Sequence, residues 1–147
     1  MNLRWLVNNA NIFSPFLGHN MSFATAINCM DGRVQLPAIH YLKDRFGVNF
    51  IDTITEPGPN RILAEQKDKP RLSSILDRLK ISIEKHGSRQ VAVIGHHDCA
   101  GNPASKDEQI THIQKAAAFI RSRYPHAEVI GVWIDENQQI EEIGVRS

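Results

Sequence analysis

The chain has 147 residues, is 41% hydrophobic and carries a formal net charge of +1, which fits one globular domain able to bury a core. So even a balance leaves no electrostatic footprint for nucleic acid and no basic run for a membrane surface, and makes a small molecule the expected partner. Two cysteines allow at most one intrachain disulfide, and the start lacks the pattern of a secretory leader, so a reducing cytoplasm is the expected location.

Residues 1–21 read as an N-terminal arm. Trp5, Phe13 and Phe16 are scattered through it with nothing near the ~18 unbroken apolar residues of a membrane span, which suits an arm or short helix packing on the body or on a second copy. Residues 22–147 read as one domain in which short β-rich runs alternate with helical periodicity. Phe23 to Asn28 is the first strand, and Pro37 opens a helix with Ile39, Leu42 and Phe46 on one face, stopped by Gly47. Val48 to Thr55 is the second strand. Pro57-Gly58-Pro59-Asn60 reads as a turn, followed by a polar stretch to Pro70 and a helix carrying Leu72, Ile75, Leu76, Leu79 and Ile83, ended by Gly87. Gln90 to Gly95 is the third strand. Ser105-x-x-Glu108 has the form of a capping box and begins a helix with Ile110, Ile113, Ala117 and Ile120 that ends before Pro125. Glu128 to Ile134 is the fourth strand, and Gln139 to Val145 reads as a short fifth strand or a terminal helix.

Strands alternating with helices imply an α/β, three-layer domain around a mostly parallel sheet. Ligands of such sheets bind outside the carboxyl ends of the strands, where the strand order reverses. The order 2-1-3-4 brings the segments after strands one and three to one crevice.

Those two segments hold both cysteines: Cys29-Met30-Asp31-Gly32-Arg33 after strand one and His96-His97-Asp98-Cys99 after strand three. A thiolate from one strand end and a His-x-x-Cys pair from another make three soft or borderline ligands, the pattern of a catalytic zinc site with a position left for water. Two thiolates neutralise most of the zinc charge, so the metal acidifies water less than a site of three histidines would. Asp31 is placed to orient the nucleophile, and Arg33 to hold Asp31 by charge-assisted contacts and keep its carboxylate off the metal.

The paired motifs resemble those of the β-class carbonic anhydrases, in strand order and spacing, from about Ser22 to Val145. The resemblance implies zinc on Cys29, His96 and Cys99, an Asp31-Arg33 dyad orienting the nucleophile, and a homodimer or higher oligomer. It also implies the reversible hydration of carbon dioxide to bicarbonate by a zinc-bound hydroxide. The chain departs from the family pattern at Asp31-Gly32-Arg33, where the family commonly has Asp-Ser-Arg or Asp-Ala-Arg, and at Cys99-Ala100-Gly101, where it has Cys-Gly-Gly. It departs further at Thr55-Glu56-Pro57-Gly58-Pro59, where the family often has Arg-Asn-Ala-Gly-Asn, and reads as a compact, divergent member.

Other chemistries fit less well. A cysteine phosphatase or sulfurtransferase needs five residues between nucleophile and arginine, and only three separate Cys29 from Arg33. A dinucleotide-binding domain needs a glycine-rich turn after the first strand. A carbonyl sulfide or carbon disulfide hydrolase on the same zinc site, and a non-catalytic zinc protein of this fold, stay open. His97 reads as a solvent or capping residue and Asp98 as an outer-shell group or loop cap. His19, His40, His86, His112 and His126 read as surface groups, and Trp133 as core or interface.

Overall fold

Small and β-branched residues make near-continuous apolar strands, as expected where helices cover both faces of a parallel sheet. The computed structural model describes residues 21–144, so nearly all of the expected arm lies outside the described residues. The elements run β1 (Phe23–Cys29), α1 (Gln35–Phe46), β2 (Phe50–Glu56), α2 (Pro59–Glu65), α3 (Lys69–Glu84), β3 (Gln90–His96), α4 (Lys106–Arg123), β4 (Glu128–Ile134) and β5 (Ile140–Ile143), with a 3-10 turn at Gly32–Val34. The sheet order is β2-β1-β3-β4-β5. The first four strands are parallel, and β5 closes one edge antiparallel to β4. The last segment is therefore the strand of its two expected forms.

On one face, Ile27, Val91, Val93 and Val129 pack against Leu72, Ile75 and Leu79 of α3 and Ala116, Ala117 and Ile120 of α4. On the other, Ala26, Ala92, Ile94 and Val132 meet Val34 and the Ala38 and Leu42 stripe of α1. Local signals set the helix ends. Ser105 and Glu108 cap α4 reciprocally, Asp68 caps α3, and Gly47 ends α1 in a left-handed conformation at φ 64°.

Two expectations change. The helix after β1 starts at Gln35 rather than Pro37, because first-turn amides have no intrahelical acceptor and a proline there loses nothing. The expected turn and polar stretch from Pro57 hold a further helix, α2, with Gly58 left-handed as its N-cap and Pro59 in its first turn. Its buried apolar residues, Pro59, Ile62 and Leu63, are too few to set up a readable helical period.

The short edge strand β5 is tied back to α1. Arg45 donates to both carboxylate oxygens of Glu142, at 2.9 and 3.0 Å, and Tyr41 adds a third bond at 2.9 Å. Arg45, with help from Tyr41, holds the Glu142 carboxyl below its usual range against the opposing pull of burial. A carboxyl depressed in the folded state adds stability above its unfolded value near ~4.3, and this is lost as pH falls through the folded value. Glu142→Gln is therefore expected to lower the melting temperature at neutral pH, with the gap to wild type closing as pH falls below 4, as read by thermal denaturation across a pH series.

Candidate metal centre

The sheet opens at its centre. The β1–β3 ladder is registered from Thr25–Val91 to Ile27–Val93, while β3 stays paired with β4 through His96–Ile134. Past Val93 the carboxyl ends of β1 and β3 part. Cys29 and His96 end those two strands, and Cys99 returns to them from the loop after β3.

All three side chains are buried, and their ligand atoms lie within 4.8 Å of one another. The two sulfurs are 3.8 Å apart and both thiols are free. A disulfide needs about 2.05 Å, whereas two thiolates at ~2.3 Å on a tetrahedral zinc sit about 3.8 Å apart. His96 supplies the third donor in a defined tautomer. Its Nδ1 lies 2.8 Å from the His97 carbonyl oxygen, which can only accept, so Nδ1 carries the proton and Nε2 keeps its lone pair. That Nε2 is buried with no hydrogen-bond partner, which a native interior tolerates where a cation or ligand takes the lone pair. A borderline divalent metal such as zinc suits two sulfurs and one imidazole, and three protein ligands leave a fourth position.

Charge supports the same reading. The Cys99 thiol, and after it His96, hold Cys29 well below the ordinary thiol range, while burial opposes them. Cys99 is pushed up in turn by its bond to Cys29 and by burial. Burial pushes His96 down, but the closeness and charge of the Cys29 sulfur outweigh it and the net direction is up.

Asp31 and Arg33 lie at the mouth. Asp31 caps the 3-10 turn by accepting from the Arg33 amide at 2.9 Å. The guanidinium meets the carboxylate at two points, Nε to Oδ1 at 3.1 Å and Nη2 to Oδ2 at 2.7 Å. These bonds hold the Asp31 carboxyl down at about 2. Arg33 also reaches across to the other motif, donating to the Asp98 carbonyl at 3.1 Å and to its carboxylate at 3.4 Å. Asp98 is left-handed at φ 53°, a conformation aspartate tolerates better than most residues. It bridges the two ligand loops through Arg33.

Several supporting residues escaped the sequence reading. Gln35 donates to the carbonyls of Cys29 and Asp31, at 2.7 and 2.8 Å. Asn60, Asn102 and Gln109 form a buried amide cluster beside β3. His112, expected at the surface, is half-buried with its Nδ1 3.0 Å from the Asn102 amide. Gln109 had a legible signal, since it extends the apolar stripe of Ile113, Ala116, Ala117 and Ile120 back by one turn and so puts an amide at a core position. Asn60 had none, because α2 itself was unread. Asn28 is buried just before Cys29 with neither amide atom partnered, and the structure gives no account of it. Trp133 is buried against Ile113 and Ile143.

A family model described as "Putative carbonic anhydrase" matches residues 19–144. Among solved structures, the chain is similar to the β-carbonic anhydrase CafA of the fungal pathogen Aspergillus fumigatus, with a TM-score of 0.62 and 13% identity over 99% of this chain and 88% of that one. It is also similar to the β-carbonic anhydrase CcaA, with a TM-score of 0.57 and 11% identity over 94% of this chain and 87% of that one. At such identities the likeness is one of fold. No curated protein sequence matches the chain.

The loop carrying Cys99 is seated by backbone contact. A Cβ on Gly101 would fall 2.6 Å from the Gly58 amide nitrogen and closer still to the Pro57 carbonyl carbon, and neither atom can swing aside as a side-chain tip would. Gly101→Ala should therefore cost about 1–3 kcal/mol in urea denaturation, the usual penalty for overpacking. Gly144→Ala, where a Cβ meets nothing within 4 Å, should leave the midpoint unchanged.

Proposed function

Because the chain belongs to the family described as "Putative carbonic anhydrase", we propose that it catalyses the reversible hydration of carbon dioxide to bicarbonate, with zinc held by Cys29, His96 and Cys99. The observation that carries this reading is the buried, unpartnered Nε2 of His96 beside two free thiols. When bound, zinc supplies a Lewis acid that lowers the pKa of a water and so provides the nucleophile near neutral pH.

The chain's own residues do the rest. The His97 carbonyl fixes the His96 tautomer and ring plane, and so keeps Nε2 aimed at the two sulfurs. Asp31, kept ionised, can only accept, so it takes a hydrogen bond from the attacking water and turns a lone pair toward the substrate carbon. Arg33 restrains Asp31 by its two-point contact and is itself held by Asp98, so the carboxylate does not swing into the metal centre. The proton leaves to solvent along an open mouth. Asp98 is 74% exposed at its side chain and Arg33 55%.

The reading extends to assembly and location. Met30 and Leu36, next to Cys29 in sequence and in the first turn of α1, are both 63% exposed, apolar surface that suits cover by a second copy. We assign 22–147 as the catalytic domain and 1–21 as an arm, and the cytoplasm as the compartment, since free thiols persist where reductants hold them. Among the described residues, no helix is long and apolar enough to cross a membrane.

Elemental analysis should find about one zinc per chain in wild type and much less in Cys99→Ser. Stopped-flow assays of carbon dioxide, run beside carbonyl sulfide on the same zinc-loaded sample, should show faster turnover of carbon dioxide. Arg33→Ala should keep its zinc and lose most turnover, and Asp31→Ala should lose about 10- to 100-fold, the range for partners of this kind. A zinc-loaded wild type without carbon dioxide turnover refutes the activity, and unchanged rates in Arg33→Ala remove the dyad. Light scattering at micromolar concentration should give at least a dimer, and a monomer mass would refute the assembly.

A further inference from the structure

His97 donates its amide to the Ile134 carbonyl on β4 at 2.9 Å, so by the alternation of a strand the backbone groups of His96 face the other way, toward β1. The β1–β3 ladder has ended by then, at Ile27–Val93. A buried amide N–H and C=O on the residue that carries the imidazole have therefore lost their strand partner, at about 1–3 kcal/mol for each group left unpaired.

One side chain from α4 takes both. Gln109 Oε1 accepts from the His96 amide at 3.3 Å, and Gln109 Nε2 donates to the His96 carbonyl at 2.8 Å. The same amide goes further. Its nitrogen donates to the Asn102 carbonyl at 3.2 Å, in the loop that carries Cys99, and its oxygen accepts from Asn60 Nδ2 at 3.2 Å, at the start of α2. Two donors and two acceptor sites are then all engaged, and only one orientation of the amide satisfies His96, because its N–H must meet an oxygen and its C=O a nitrogen. Gly95 makes room for this. A Cβ there would lie 2.8 Å from Asn60 Nδ2 and 2.9 Å from Gln109 Oε1.

We propose that Gln109 is a positioning residue for the metal centre: it replaces the missing strand beside His96 and ties the His96 and Cys99 backbones together, so that the ligand set is assembled before a metal arrives. The inference rests on the zinc reading above and deepens it. A ligand set ordered in advance binds its metal more tightly, because less ordering entropy is lost on binding, and partners outside the ligand set are worth about 10- to 100-fold in metal affinity. Gln109→Glu keeps the two acceptor contacts and loses both donors. Gln109→Met keeps the size and loses all four bonds.

The test is zinc affinity by chelator competition, with cobalt absorption as a readout of ligand geometry, on wild type, Gln109→Glu, Gln109→Met and Ile113→Val. Ile113 lies one turn further along the same face of α4 and is fully buried beside Gly95, so its variant loses core packing next to the amide cluster and removes none of the cluster's hydrogen bonds. Both Gln109 variants should bind zinc about 10- to 100-fold more weakly, with a weakened and shifted cobalt ligand-field band, while Ile113→Val stays within twofold of wild type in both. Should a Gln109 variant fail to fold, wild type still decides. The Gln109 side-chain amide protons should be protected from solvent exchange in the metal-free protein, and protection that appears only on adding zinc overturns the inference. Wild-type affinity and spectrum in folded Gln109 variants overturn it alone, leaving the zinc reading standing, and a wild type that takes up no metal overturns both.

Discussion

Everything at this site depends on the parting of β1 and β3. The chain leaves β1 for β2 on one side and β3 for β4 on the other, so the two central strands sit side by side with their connections diverging. Each then ends in a residue of the candidate metal set, with no neighbour to complete its inner edge at that point. A parallel sheet makes its binding crevice at such a place because the backbone there is exposed on the inner edges. The crevice is narrow here, and three donor atoms converge in it.

Unpaired backbone at a buried strand end is costly, and the helices that follow each motif relieve it. Gln35 in the first turn of α1 donates to the carbonyls of Cys29 and Asp31, and Gln109 in the first turn of α4 bonds both backbone groups of His96. The helix that returns the chain thus also secures the ligand it has just left behind. On the outer side, Arg33 spans the gap from the Asp31 carboxylate to the Asp98 carbonyl. Arg33 thus joins the two loops, and between them the thiols stand free at a metal-sized spacing.

The parallel sheet, its central order and the meeting of the two motifs were legible because they rest on long apolar runs and a short list of ligand-type residues. Leu72, Ile75 and Leu79 announce α3 by their spacing, and Ser105 with Glu108 announces α4 by its cap. What stayed hidden depends on tertiary partners. The proline and glycine of Pro57-Gly58-Pro59 signal a turn equally well whether a helix follows or not, and only the packing of Gly58 on Gly101 shows why the chain turns there. Asn60, Asn102 and Gln109 look like ordinary polar residues until the fold buries them around the end of β3. Metal ligands are readable by type, but the residues that hold them are chosen by geometry.

The central claim is that Cys29, His96 and Cys99 hold zinc with one position left for exchangeable solvent. X-ray absorption at the zinc edge of the loaded protein measures that donor set most directly. The account predicts two sulfurs at about 2.3 Å and two nitrogen or oxygen donors at about 2.0–2.1 Å. A shell of light atoms alone, or one sulfur in place of two, would contradict it.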